Sequence, residues 1–440
     1  MNFKSPKRPS TASNASGVVT VTAATAGTAL PTISFTGAAG DTPAATYTTA
    51  NVATATGAQY DMSGFTGTTS VVGTAAGAIN LKLAATTDAT LTTSAGVISV
   101  AGGKDLNVTH SATGANNIAV AAGADVTVNA NAATTGTVTL TAPTGDVDVN
   151  YNGSFANTAD ATLGAITVSS AGATADVTTT TTGTLAATNY TVTQGAVSVT
   201  GGDTTTSVNV TQDAAVTAVA GVTATGKIGV VAGAVTIADE NAASATAAGS
   251  ISSVSLANFG NSTIDSGALT TLNLSGPGGT VGVTAGALTT AVVDTLALNV
   301  NSATALGNVT LDADYTTLNI TGSGTKSTVA DITSSGATAV TFAGAGELVF
   351  TDQSLTAVTS VTSTNTAGVT LGTSAIGAGV AVTMGSGNDK VVMSNAATKA
   401  IDLGAGNDEL TYGGAVSTAA TSLGAAAGGE GEDTIVMTSD

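Results

Sequence analysis

The chain lacks cysteine and tryptophan, and its 440 residues include one histidine, six prolines and nine lysines and arginines. Without thiols there is no disulfide framework, no cysteine nucleophile and no thiolate zinc or iron–sulfur site. A lone histidine, His110, cannot form a His-Glu-x-x-His metal motif and offers no base to a Gly-x-Ser-x-Gly elbow with a His partner. It follows the apolar triplet Leu106-Asn-Val108 and reads as a surface or turn residue. Sparse lysine and arginine, with a net charge of −19, exclude a nucleic-acid partner, because phosphate neutralisation needs clustered positive charge. Aromatics are 3% of the chain, too few to line a sugar-binding cleft. No apolar run is long enough to cross a membrane as a helix. These absences point away from an enzyme.

What remains is Gly (55 residues), Ala, Thr, Val and Ile, with a mean hydropathy of +0.36 and only 8% charged residues. That balance is opposite to the low hydrophobicity and high charge of disordered chains. Val, Ile and Thr favour pleated strands, since branching at Cβ stiffens the side chain and packs well on a sheet. No sustained 3.6-residue apolar period is present. The composition predicts an all-β fold.

Internal repetition sets the expected architecture. Apolar–polar–apolar triplets start at Ile98, Leu106, Ile118, Val126, Val138 and Val147, with separations of 8, 12, 8, 12 and 9 residues. Others begin at Val208, Val216, Ile228 and Val235, and wider ones at Leu272, Leu298, Leu318 and Val340. Alternation puts the outer two residues of a triplet on one face and the middle Asn, Thr or Asp on the other. Each strand is too short to bury much surface alone, but stacked coils join these faces into one thin core. The spacing predicts a parallel β-helix or β-roll stack in the C-terminal half. Before residue 235 it fits either a β-rich solenoid or sandwich-like domains, because antiparallel sandwiches also place strands every 8–12 residues. The Asn residues between apolar neighbours (Asn80, Asn107, Asn209, Asn273, Asn299, Asn319) are expected to face outward, solvated or hydrogen-bonded along the stack.

Glycine pairs recur at one to two coil lengths: Gly276/Gly278, Gly322/Gly324, Gly344/Gly346, Gly385/Gly387, Gly404/Gly406 and Gly429/Gly431. They are expected at one corner of the coils, where the backbone turns with positive φ. Only the last three pairs are joined by acids, in Met384-Gly-Ser-Gly-Asn-Asp-Lys-Val-Val392, Leu403-Gly-Ala-Gly-Asn-Asp-Glu-Leu-Thr411 and Gly428-Gly-Glu-Gly-Glu-Asp-Thr-Ile-Val436. Eight of the 28 acidic residues follow residue 382. Hard cations such as Ca²⁺ take several oxygen ligands from carboxylates and from carbonyls of tightly turned backbone. Asp389 and Asp408 are 19 residues apart, close to one coil, so stacking would set their carboxylates a strand spacing apart.

These segments resemble the calcium-binding RTX nonapeptide, G-G-x-G-x-D-x-U-x, of parallel β-rolls. The third fits throughout, while Met384 and Leu403 replace the leading glycine in the first two. The resemblance implies Ca²⁺ held by turn carbonyls near Gly385, Gly387, Gly404, Gly406, Gly429 and Gly431 together with Asp389, Asp408 and Asp433, with Asn388 and Asn407 in the same turns. The Ala/Thr/Gly-rich remainder is similar to RTX-type bacterial surface-layer proteins. That resemblance implies type I secretion from a Gram-negative cell, Ca²⁺-dependent self-assembly into a paracrystalline coat, and an N-terminal region bound to lipopolysaccharide or another envelope polysaccharide. An RTX adhesin or extracellular filament subunit is the alternative. Such proteins usually continue past the repeats into a C-terminal secretion signal, whereas this sequence stops at Asp440. The expected organisation is a basic N-terminal segment (1–15) with Lys4, Lys7 and Arg8 as an anionic-surface contact, a β-rich region (16–234), a β-solenoid (235–381) and calcium-binding coils (382–440).

Overall fold

A computed structural model of the chain describes residues 78–437 apart from 95, 112–116, 122, 132–135, 142–143, 157–160, 186–190, 219–228, 375, 395–396 and 413–424, together with strand segments at 11–15, 18–22, 45–49, 60–61 and 70–75. Lys4, Lys7 and Arg8 lie outside the described residues. The fold is all-β, with no helix among the described residues, and hence none long and apolar enough to cross a membrane. Two compact units divide the chain, Met1–Ala234 and Val235–Asp440.

In the first unit, from Ala45–Thr49 to Val147–Ala156, strands stack in parallel on the strand two places further along the chain. One ladder runs through Ile79–Lys82, Ile98–Ala101, Ile118–Ala121 and Val138–Thr141, in a register that sets Ile98 on Ile118 and Ile118 on Val138. The second runs through Leu106–His110, Val126–Asn131 and Val147–Ala156, with Val108 on Val128 and Val128 on Val149. Only Thr11–Ala15 and Val18–Thr22 pair antiparallel among the described strands, so the N-terminal half is a parallel stack and not a sandwich. The triplets at Val208 and Val216 belong to a single strand, Ser207–Ala218, paired along its whole length with the Thr-rich Thr174–Leu185. Nothing between them breaks the strand: Thr211-Gln-Asp-Ala-Ala215 holds neither glycine nor proline.

The second unit repeats this design. Its first ladder passes through Ser327–Ser334, Leu348–Leu355, Val369–Leu371, Lys390–Met393, Glu409–Tyr412 and Thr434–Met437. Its second passes through Thr317–Ser323, Ala339–Gly344, Ser360–Ser363, Ala381–Thr383, Ile401–Asp402 and Ala426–Ala427. Register places Leu318, Val340, Val361, Val382 and Ile401 in one inward column, all buried. Fully burying each such side chain contributes roughly 1.5–3 kcal/mol. Phe342 and Phe350 pack together in this core with rings 5.7 Å apart at 51°. Outward residues form their own columns: Asn299 Nδ2 donates to Asn273 Oδ1 (2.8 Å), and Thr341 Oγ1 donates to Asn319 Oδ1 (2.6 Å). His110, by contrast, shares the inward face of Leu106 and Val108, is fully buried and lies 2.8 Å from the Gly96 carbonyl through Nε2. Strand alternation, which continues one step past the apolar triplet, carries it inside.

Candidate metal centre

The three acidic turns stack because the strands that leave them do. Lys390 is in register with Glu409, and Glu409 with Thr434, so Asp389, Asp408 and Asp433, each one residue earlier, fall in a single column. Parallel bridges between Ser386 and Ala405 and between Ala405 and Glu430 hold the turn backbones together. Each carboxylate accepts from the backbone of an adjacent turn: Val369 N–H donates to Asp389 Oδ1 (2.6 Å), Asp389 N–H to Asp408 Oδ1 (2.8 Å) and Asp408 N–H to Asp433 Oδ1 (3.1 Å).

Glycine is required here by close approach as well as by φ. Gly404 has φ +89°, and a Cβ there would stand 2.0 Å from the Gly385 carbonyl oxygen. The same relation recurs one turn on, where a Cβ on Gly429 would overlap the Gly404 oxygen. The glycine pairs are less uniform than their spacing suggests. Both members have positive φ only in Gly404/Gly406 and Gly429/Gly431, whereas in the first acidic turn only Gly387 does.

Asp389 and Asp408 are each 2% exposed, and the Oδ2 atom of each is buried with no hydrogen-bond partner. Burial is the main force raising the Asp389 carboxyl to about 6; the Asp408 charge adds to it, and the N–H groups of Val369 and Gly385 oppose it. Asp408 is also raised, chiefly by burial and then by Asp433, against the donation from Asp389 N–H. The only base in the three segments, Lys390, is engaged elsewhere, 2.8 Å from Glu409 on the outward face. Thus the column holds two buried acids, each with one oxygen facing no donor. Burial penalises the ionised form of each, a penalty that a proton or a cation would relieve.

Asn388 and Asn407 do not join the carboxylates. They are exposed and form an outer column, in which Asn407 N–H donates to Asn388 Oδ1 (2.9 Å) and Glu432 N–H to Asn407 Oδ1 (3.0 Å). Asp433, in the last described turn, is exposed. Among the described residues no three His, Cys, Asp or Glu side chains converge on a point. One carboxylate per turn is a ladder and not a cluster. The two orphaned oxygens have the chemistry that a hard, oxygen-seeking cation takes, whereas the Gly385 and Gly404 carbonyls of the same turns already accept from Ala405 N–H (2.9 Å) and Glu430 N–H (3.0 Å). No model of a known protein family matches the chain, and no curated protein matches it in sequence.

Proposed function

We propose that the protein is the structural subunit of a calcium-dependent surface layer on a Gram-negative bacterium, exported by type I secretion and not an enzyme. The observation that carries the calcium part is the in-register burial of Asp389 and Asp408 with an unpartnered oxygen on each. Ca²⁺ between successive turns would cancel the repulsion along the column and use the partnerless oxygens, with Asp408 serving the ions on both sides. The lattice part rests on the RTX resemblance and on the low charge of the chain, which makes Thr- and Ala-rich outer faces cheap to desolvate in many modest contacts. Lys4, Lys7 and Arg8 belong to this reading as a contact for anionic envelope polysaccharide.

The test is a calorimetric Ca²⁺ titration of chelator-stripped protein, followed by electron microscopy of the same sample. Heat of binding with ordered sheets supports the proposal. Binding with dispersed monomers points to the adhesin alternative, and the absence of heat at millimolar Ca²⁺ overturns the calcium reading.

A further inference from the structure

One coil before the first acidic turn, the corner 363–369 has neither an acid nor a Gly-x-Gly pair, yet it stacks in the same column of turns. Val369 lies over Leu348 on one side, and Thr370 over Lys390 on the other. Counting back through that register sets Asn365 over Gly385 and Ala367 over Gly387. Close approach agrees, since a Cβ on Gly385 would stand 2.4 Å from the Asn365 carbonyl oxygen, and one on Gly387 would stand 2.6 Å from the Ala367 carbonyl carbon. Where the acidic turns have glycine, this turn has a side chain.

That side chain is fully buried and fully engaged. Asn365 Nδ2 donates to the carbonyls of Ala343 (3.2 Å) and Gly346 (2.9 Å) in the preceding coil. Its Oδ1 accepts from the N–H groups of Ala367 (2.8 Å) and Gly368 (3.0 Å) in its own turn. By the same register Gly346 holds the corner position that Gly387 holds two coils later. The amide therefore brings positive N–H dipoles to two carbonyls of the preceding corner.

We propose that the Asn365 carboxamide is a built-in substitute for the cation, closing the upstream end of the ion column and setting how many ions the stack takes up. The inference rests on the calcium reading above and goes beyond it by assigning this role to a residue outside the three acidic motifs. An amide offers the corner two donors and no net charge, so the coil at 343–369 holds its geometry without metal. A carboxylate at residue 365 would turn a donor into an acceptor facing two carbonyls, an arrangement that a cation relieves at neutral pH.

Hydrogen exchange on the full chain, with saturating Ca²⁺ and with EGTA, tests this. In the wild type, corners 343–347 and 363–368 should be equally protected in both conditions, while turns 385–433 lose protection in EGTA. In Asn365→Asp the two corners should exchange at least about tenfold faster in EGTA and recover with Ca²⁺, and native mass spectrometry should count one more ion per chain. The double variant Asn365→Gly, Val369→Asp restores the four-residue Gly-to-Asp spacing of Gly385 and Asp389 and should gain the same ion, which keeps the test decisive if Asn365→Asp does not fold. A calcium response at 385–433 with no gained ion in either variant overturns this inference alone. No response at 385–433 in the wild type overturns the calcium reading, and this inference with it.

Discussion

At the scale of single residues, the column Asp389–Asp408–Asp433 is expected to join stability to protons and, on the calcium proposal, to cations. The folded-state value of Asp389, about 6, exceeds its ordinary 3.8, so the native state holds that proton more tightly than the unfolded chain does. Without a cation, stability should therefore rise as pH falls through about 6 towards 4, and be lowest above 6. With Ca²⁺, protons compete for the same oxygens, and ion affinity should fall over that window. Thermal melts in EGTA and in Ca²⁺ at about pH 7.5 and pH 5 would show opposite trends if this is right. Asp408→Ala removes the acceptor of Asp389 N–H and the carboxylate between the two others. It should erase more of the Ca²⁺-dependent rise in melting temperature than Asp433→Ala, whose side chain is exposed. Equal losses would contradict the sharing of Asp408. Gly404→Ala places a Cβ against the Gly385 carbonyl at positive φ. It should cost at least about 1–3 kcal/mol in denaturant melts, with or without Ca²⁺.

At the scale of elements, the inward columns were readable from alternation alone. The triplets at Ile98, Leu106, Ile118, Val126 and Val138 are all strands, with the outer two residues buried. What alternation did not show was where strands end. His110 lies beyond its triplet and is polar, so its inward placement follows from counting on in twos, not from its chemistry. The 12-residue strand Ser207–Ala218 hid as two triplets because its length is set by pairing with Thr174–Leu185, a long-range effect with no local signal. The acidic column was legible from 19-residue spacing, but the divergence of Asn388 and Asn407 from Asp389 and Asp408 was not. Adjacent residues on an extended exit from a turn face opposite ways, and only the backbone path says which is inside. Asn365 was missed because one buried amide resembles any other Asn. Its signal is its position, 20 residues before Gly385 in the coil period. Among apolar residues, Phe342→Ala should cost about 3–5 kcal/mol in chemical denaturation, since its ring is fully buried against Phe350.

At the scale of the whole molecule, ion binding is expected to act locally. A site held about a hundredfold above its Kd adds roughly 2.7 kcal/mol to the folded state, and in stacked coils that stabilisation reaches nearest neighbours first. Chelation should therefore deprotect residues 382–440 ahead of 235–340 in hydrogen exchange; simultaneous loss across both would mean that the coils melt as one cooperative body. Stacking by neighbours also makes the second unit tolerant of changes in its own length. Leu318 rests on Leu296, and Val340 rests on Leu318, in one unbroken register. Excising residues 318–339 would lower Val340 directly onto Leu296 and Leu348–Leu355 onto Leu306–Leu311, leaving every remaining rung matched. Such a chain can be lengthened or shortened by whole rungs without redesigning its interior, so the distance between its two ends is a quantity that gene duplication can tune in discrete steps.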